Sequence, residues 1–315
     1  ACWDVSARKW RSDLLEALGV DEGWLPPVKG SAEIRGTLRP ELARRLGWGE
    51  TNVVCGGADN AVSAFGLGIG SPGDCMISIG TSGTVLAITE STAPDPTGRL
   101  HFFNSVLPGQ SYYMGCMLAA AASLNWFRDT MGRDLTWDGI GKAVEEVPPG
   151  AGGMLWLPYL NGERTPHRNP NARGVLYGLS SMSDRRHVFR SVMEGITYGL
   201  RDSFDLVRAA TPVKRVIMAG GGAKSPTWRK MTASVIGFPV SVPEADEGGA
   251  YGAAMLAALG GGLTVNEVRG WTGIRETVQP NSSEKEAYDR GYVQFRALYR
   301  DLRDRFDATA ENAAK

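Results

Sequence analysis

The spacing of apolar residues alternates along the chain between the period of a strand and the period of a helix. Apolar side chains from Val188 to Val207 recur at helical spacing and predict a long helix with one buried face. Short apolar runs bounded by turn residues predict strands. These strands cover residues 53–55, 75–79, 84–89, 112–117, 216–218 and 239–242, and the strand at residues 53–55 is expected to be buried. Strands punctuated by helices are typical of an α/β fold.

Further helices are predicted between these strands. They cover residues 10–18, 41–46, 60–68, 118–131, 226–236 and 249–259. Ser225 and Pro226 have the pattern of an N-cap with proline in the first turn. Ser283 and Glu286 have the spacing of a capping box, which predicts the start of a last long helix.

Charge and cysteine content narrow the function classes. The chain carries 34 basic and 34 acidic side chains without a basic tract, so nucleic acid is not the expected partner. No apolar run is long enough to span a bilayer, so a membrane is not expected either, and the cytoplasm is the default location. The cysteines are widely spaced, which predicts reduced, buried thiols. They are Cys2, Cys55, Cys75 and Cys116.

Two common nucleotide motifs are absent or misplaced. The chain has no G-x-x-x-x-G-K-[ST] sequence, which excludes a P-loop. Gly68, Gly70 and Gly73 fit G-x-G-x-x-G, but they follow a predicted helix and precede a predicted strand. A dinucleotide fingerprint needs the order strand, glycines, helix, so we reject that interpretation.

Two other glycine-rich turns have the right context for a nucleotide. The sequence GTSGT at residues 80–84 lies between two predicted strands, where backbone N–H groups can hold an anion; an ordinary hairpin turn would look the same. The sequence GGGAKS at residues 220–225 joins a strand to a helix. Bare backbone there can approach a ring or ribose, and the helix N-terminus favours phosphate, although a merely flexible turn is the alternative.

Asp59 and the loop at residues 157–167 are the remaining candidates for catalytic or binding residues. Asp59 lies between a glycine-ended strand and a helix, where it serves either as a helix cap or as a general base. The loop LPYLNGERTPH carries Glu163, Arg164 and His167 between two prolines, and its plain interpretation is a rigid surface loop with a local Glu–Arg pair.

Together these segments resemble the FGGY carbohydrate kinases, which have the actin-like ATPase (ribonuclease H-like) fold. The strings GVLYGL at residues 174–179 and HVFRSVME at residues 187–194 are similar to the second signature of that family. GGADNA at residues 56–61 resembles its catalytic-base segment, and LPYLNGERTPH looks like the form of the preceding loop in xylulokinases. The resemblance implies an ATP-dependent sugar kinase, most closely one that phosphorylates D-xylulose.

The resemblance also implies roles for single residues. Asp59 matches the catalytic base, and Asn60 beside it would touch the sugar. Nucleotide contacts are implied for the two glycine turns and for one small residue beneath the nucleotide. These residues are Gly80, Thr81, Ser82, Ala121, Gly220, Gly221, Gly222, Ala223 and Ser225. ATP and Mg²⁺ are the implied cofactors, a ketose is the implied partner, and no residue is assigned as a metal ligand.

One departure from the family concerns the first domain. The family begins with a strand–turn–strand phosphate loop in a domain that also supplies most sugar contacts, and that segment is not found here. Residues 1–72 therefore resemble the tail of this domain, and residues 73–315 resemble the carboxy-terminal nucleotide-binding domain. The start at Ala1, without Met, agrees with a truncated chain. Because the first phosphate loop is not found, we expect this chain to bind nucleotide weakly and not to catalyse alone.

Other functions stay open at this point. Related kinases act on ribulose, gluconate, glycerol and rhamnulose, and most residues that distinguish these sugars belong to the first domain. A non-catalytic actin-like protein that binds sugar or nucleotide is a further alternative, against which Asp59 and the string at residues 174–194 argue. An unpaired strand edge near Val53 would favour self-association or docking of the missing part of the first domain, so a homodimer is open as well.

Overall fold

A computed structural model describes residues 2–245 and 247–313 of the chain. The strands in this part are β1 (Trp3–Asp4), β2 (Lys9–Trp10), β3 (Ile34–Thr37), β4 (Asn52–Val54), β5 (Asp74–Ile79), β6 (Gly83–Thr89), β7 (His101–Asn104), β8 (Ser111–Met117), β9 (Leu155–Leu157), β10 (Val175–Tyr177), β11 (Arg215–Ala219), β12 (Val240–Pro243) and β13 (Ile274–Val278). The α-helices are α1 (Ser12–Ala17), α2 (Pro40–Leu46), α3 (Asp59–Gly66), α4 (Ala121–Met131), α5 (Trp137–Glu145), α6 (Arg185–Ala210), α7 (Pro226–Ile236), α8 (Gly248–Gly260), α9 (Val265–Arg269) and α10 (Ser282–Ala313). Within the described residues, no helix combines the length and the apolar character that a membrane crossing requires.

A seven-stranded mixed sheet forms the centre of the fold, with the strand order β13-β12-β11-β5-β6-β8-β7. Strands β5, β11 and β12 run parallel to one another, and the other neighbours are antiparallel. Strands β5, β6 and β8 are buried along nearly their whole length. Burial on both faces explains why their sequences are continuously apolar instead of alternating.

Helices cover both faces of this sheet and create two hydrophobic cores. One face is covered by α4, α5, α6, α7 and α10, and we call it the α6 face. The opposite face is covered by α3, α8 and α9, and we call it the α3 face. Side chains alternate along β8, so Tyr113 and Met117 belong to the α6 face, whereas Tyr112 and Met114 belong to the α3 face.

Glycines bring α3 and α8 unusually close together. A Cβ atom added at Gly252 of α8 would lie 1.9 Å from the carbonyl oxygen of Val62 in α3. One added at Gly66 would lie 2.6 Å from the carbonyl oxygen of Gly248. The small-residue sequences of both helices are therefore a consequence of this backbone contact.

The first 55 residues form small elements beside the large sheet. Strands β1 and β2 pair with Trp3 opposite Trp10, and the Trp3 indole N–H donates to Asn104 Oδ1 at 2.7 Å. Strands β3 and β4 form a separate two-stranded sheet with mostly exposed residues. The buried strand predicted at residues 53–55 is therefore wrong in its burial, because an apolar run does not show whether a second layer covers it.

Of the two helix starts predicted from capping residues, the one at Ser225 has the predicted cap and the one at Ser283 does not. The N-cap at Ser225 is confirmed, since its hydroxyl oxygen accepts from the N–H of Trp228 at 3.3 Å. The capping box at Ser283 is wrong. The side-chain oxygen of Asn281 accepts from the N–H of Ser283 at 3.1 Å instead, so the residue two places earlier closes the helix end.

The cysteines are free, as predicted, but they are not uniformly buried. Cys75 and Cys116 are buried, Cys2 is half-buried and Cys55 is exposed. The exposed thiol follows directly after β4, so its exposure has the same cause as the exposure of that strand.

Candidate functional site

The turn between β5 and β6 is fixed at the N-terminus of α4. The N–H of Ala120 donates to the carbonyl oxygen of Thr81 at 3.0 Å, and the N–H of Ala121 donates to that of Gly80 at 2.9 Å. The N–H of Gly80 donates to the carbonyl oxygen of Ser82 at 3.0 Å. The N–H groups of Thr81 and Ser82 have no acceptor among the described residues, so these two can serve a ligand.

The second glycine turn lies against the first because β5 and β11 are parallel neighbours. Ala219 is opposite Ser78, and both turns therefore leave the sheet at one edge. Gly220 has a φ of +80°, and a Cβ atom there would lie 2.8 Å from the carbonyl oxygen of Ile79. A Cβ atom at Gly222 would lie 2.6 Å from Cβ of Ile79. Glycine is required at both positions by this contact.

The two turns and helices α4, α5 and α7 enclose a cavity of about 790 Å³, a volume typical of a small-molecule site. Most of the predicted nucleotide contacts lie on its wall. They are Gly80, Thr81, Ala121, Gly221, Gly222 and Ser225. Ser82, Gly220 and Ala223 do not line it, and the Ala223 carbonyl oxygen accepts from Arg229 Nη1 at 2.7 Å instead.

Another part of the cavity wall comes from α4 and α5 and was not predicted. Asn125, Trp137 and Lys142 line it together with Glu145. The guanidinium carbon of Arg128 lies 4.5 Å from the centre of the Trp137 ring, which fixes the ring by a cation–π contact. The cavity therefore offers one aromatic surface and a few polar groups beside bare glycine backbone.

A sequence signal for α5 did exist. The hydroxyl oxygen of Thr136 accepts from the N–H of Gly139 at 3.0 Å and caps the helix. Ile140 and Val144, four residues apart, are the buried positions of α5. A threonine followed by this spacing is a helix signature, but the helix is only nine residues long.

Asp59 is the first residue of α3 and is exposed, and neither it nor Asn60 lies on the cavity wall. One carboxylate oxygen of Asp59 accepts from the N–H of Asn60 at 2.7 Å and from its amide Nδ2 at 3.3 Å. The helix cap is Ala58, so the capping interpretation of Asp59 is wrong. Burial, together with the negative charge of Asp59, raises the pKa of Tyr112 to about 12, which locates Asp59 on the α3 face.

The loop at residues 157–167 is more buried than the sequence suggested. Glu163 is 3% exposed, and its Oε1 accepts from the N–H groups of Leu118 (3.1 Å) and Arg164 (2.7 Å). Burial raises its pKa to about 8. The predicted Glu–Arg ion pair is not present among the described residues. His167 stacks on Tyr299 with ring centres 3.4 Å apart, and burial lowers its pKa to about 3.

The string at residues 187–194 has a structural role in this chain. Arg190 and Glu194, buried on α6, pair at 2.6 Å. Arg190 also donates to the Tyr288 hydroxyl of α10 at 2.7 Å, and Glu194 accepts from the N–H of Gly150 at 3.0 Å. These contacts hold three segments together beneath the cavity-forming helices.

Comparisons with known families cover most of the chain. A model described as the carboxy-terminal domain of the FGGY family of carbohydrate kinases matches residues 75–260. A model described as the amino-terminal domain of the same family matches residues 1–66.

Individual relatives agree with this result. The xylulose kinase of Bacillus subtilis (strain 168) is 42% identical over 260 residues, which are 82% of this chain and 52% of that protein. The xylulose kinase of Escherichia coli (strain K12) is 34% identical over 95% of this chain and 62% of its own length. A crystal structure from Brucella ovis, described as a xyloylose kinase, superposes with a TM-score of 0.89 at 33% identity, over 95% of this chain and 62% of the other. The chain thus spans 52% to 62% of the length of these proteins.

Proposed function

Because the chain belongs to the FGGY family of carbohydrate kinases, we propose that it binds ATP in the cavity between its two glycine turns. We also propose that the protein carrying this sequence transfers the terminal phosphoryl group to a hydroxyl group of a sugar. The observation that carries this proposal is the convergence of both turns at one sheet edge, where they enclose a cavity of about 790 Å³. The α/β architecture with its mixed central sheet agrees with the actin-like fold of the family.

The chemistry of the cavity wall suits an adenine nucleotide. The ring of Trp137 offers a flat surface for a purine, and Gly221 and Gly222 allow a ribose to approach the backbone. The N–H groups of Thr81 and Ser82 are the donors left for phosphate oxygens. The nucleotide would therefore lie with its base toward α5 and its phosphates toward the turn between β5 and β6.

Asp59 is the general base of this proposal. Its exposed carboxylate accepts only from the neighbouring Asn60 among the described residues, so one oxygen is open to a sugar hydroxyl. As the hydroxyl proton passes to Asp59, the sugar oxygen attacks the γ-phosphorus and the bond to the β-phosphate oxygen breaks, which releases ADP.

Mg²⁺ fits this site only together with the nucleotide. Among the described residues, no three Asp, Glu, His or Cys side chains converge to form a cage for a metal ion. Mg²⁺ is usually bound by substrate phosphates and water with one or two carboxylates, so the phosphates of ATP would supply most of its ligands. When bound, the ion offsets phosphate charge.

Xylulose is the sugar we propose. The relatives that are 42% and 34% identical over most of the chain are both xylulose kinases. A gluconate kinase and a glycerol kinase match at 24% and 18% identity, which supports a shared fold and nothing about their sugars. We also propose that the first domain ends near residue 72, since the family matches end at residue 66 and resume at residue 75.

Replacing Asp59 by Asn in the protein that carries this sequence tests the assignment. The variant keeps the shape and loses the proton acceptor, so turnover with D-xylulose should fall at least a hundredfold, since a positioned base contributes about 10²–10⁴-fold. The affinity for ATP should change less than about twofold, because Asp59 lies off the cavity wall. ADP release is the readout, and near-normal turnover would remove Asp59 from the mechanism.

A further inference from the structure

Arg164 is the one exposed residue in a short stretch that is otherwise anchored in the protein. Its neighbours Glu163 and Thr165 are 3% and 1% exposed. The N–H of Thr165 donates to the carbonyl oxygen of Cys116 at 3.0 Å, and the N–H of Cys116 donates to the hydroxyl oxygen of Thr165 at 3.1 Å. The Glu163 carboxylate accepts a hydrogen bond from the N–H of Leu118 at 3.1 Å. The backbone of Arg164 is therefore fixed beside the end of β8.

The side chain of Arg164 lies on the α3 face. Cys116 follows Tyr112 and Met114 on that face by the alternation of β8. Burial raises the pKa of the Cys116 thiol, and the positive charge of the Arg164 guanidinium opposes the rise. Burial and then the charge of Arg164 lower the pKa of His101, which is paired with Met114 across β7 and β8. The guanidinium thus reaches the face on which Asp59 also lies.

This position borders the turn that we assign to the phosphates. Cys116 pairs with Thr84 of β6, three residues beyond Thr81. Tyr112, whose pKa is raised by burial and by the charge of Asp59, is four residues from Cys116 along β8, a distance of about 13 Å. Cys116 is thus close to the end of β8 nearest this turn, and Arg164, whose backbone is fixed beside it, lies at the edge of the space that the phosphates would occupy.

The charge of Arg164 is not neutralised within the described part of the chain. No carboxylate there forms an ion pair with it. The adjacent Glu163 has a pKa of about 8, so near neutral pH it is mostly uncharged. A planar guanidinium without a carboxylate partner is the group that proteins most often use to bind phosphate oxygens in a bidentate manner.

We propose that Arg164 binds the terminal phosphoryl group of the nucleotide on the side facing Asp59, an inference that rests on the proposed kinase function. Its role is electrostatic: it offsets negative charge on the phosphoryl oxygens while the bond to ADP breaks and the bond to the sugar oxygen forms. Arg164 exchanges no proton in this step, because the proton passes from the sugar hydroxyl to Asp59.

The test compares ATP with ADP, which differ only in the terminal phosphate. Calorimetric titrations with Mg-ATP and Mg-ADP would use the 315-residue chain, Arg164→Gln, and the matched control Arg168→Gln from the same loop. Arg168 is also exposed, and it donates only weakly to the Thr97 carbonyl oxygen at 3.4 Å. Arg164→Gln should weaken ATP about tenfold or more and leave ADP within about twofold, since a charged hydrogen bond is lost.

Each outcome of these titrations separates this inference from the proposed function. An unchanged ratio of ATP to ADP affinity in Arg164→Gln, with both nucleotides bound by the wild type, would overturn the Arg164 contact alone. Failure of the wild type to bind either nucleotide would overturn both. Arg164→Lys should give an intermediate loss for ATP, because it keeps the charge and loses the planar fork. Equal losses for ATP and ADP would also contradict the proposal.

Discussion

The surroundings of Glu163 oppose its ionisation. Burial raises its pKa to about 8, and backbone N–H donors and the charge of Arg164 only partly offset this effect. Because the pKa in the folded protein is above the ordinary value of 4.5, folding favours the neutral form. The corresponding stability is fully present below about pH 4.5 and is lost as the pH rises toward 8.

Glu163→Gln should remove this pH dependence. Between pH 4.5 and pH 8 the wild type should lose roughly 3–5 kcal/mol of unfolding free energy at this site, and the variant should not. Urea unfolding at several pH values measures the difference. Glu286→Gln, whose side chain is 85% exposed, is the control and should follow the wild type. Parallel curves for wild type and Glu163→Gln would show that Glu163 is not the titrating group.

At the level of elements, the contact between α3 and α8 depends on Gly252. Alanine there would place Cβ 1.9 Å from the Val62 carbonyl oxygen, so the helices must move apart. The clash outweighs the gain in helix propensity, which is about 1 kcal/mol, and we expect Gly252→Ala to lower the unfolding free energy by about 1–3 kcal/mol.

Gly249→Ala on the same helix is the matched control for that measurement. A Cβ atom at Gly249 would meet its nearest neighbour, Ser63 Oγ, at 3.4 Å, so no clash is expected. This variant should be as stable as the wild type or more stable by up to about 1 kcal/mol. Denaturant unfolding that ranks the two variants equally would mean that the helices separate without cost.

Elements with strong local signals could be predicted from the sequence, and elements defined by their neighbours could not. The helical spacing of apolar residues in α6 and the apolar runs of β5, β6 and β8 indicate from the sequence alone that these elements are buried. Strand β7 has three half-buried residues and one exposed residue, and β13 is mostly exposed, so neither has a continuous buried apolar run. Both are stabilised as edge strands by the sheet beside them.

The same distinction holds for the candidate site. The glycine turn at residues 220–222 was recognisable because close backbone contact at Gly220 and Gly222 leaves only one residue type, although Gly220 itself does not line the cavity. Other wall residues of α4 and α5 were missed because Asn125, Trp137 and Lys142 are ordinary helix residues, which become part of a site only when these helices pack beside the two glycine turns. The burial of Glu163 was missed for a related reason, since its partner Leu118 is 45 residues away in the sequence.

At the scale of the whole molecule, the two faces of the sheet separate two tasks. The α6 face and the sheet edge hold the proposed nucleotide cavity, while the α3 face carries Asp59 and Arg164. The turn between β5 and β6 stands where both faces meet, which is where a phosphoryl group would pass from donor to acceptor. This arrangement makes nucleotide binding the property that the 315 residues should show by themselves.

Calorimetric titration of this chain with Mg-ATP, beside Trp137→Ala and Trp126→Ala, tests that property most directly. Both tryptophans are 48% exposed, but only Trp137 lines the cavity. We expect saturable binding by the wild type and by Trp126→Ala, and about tenfold weaker binding by Trp137→Ala, because a stacked base is worth about 1–3 kcal/mol. Absence of binding by the wild type, or equal weakening in both variants, would contradict the assignment of the cavity as the nucleotide site.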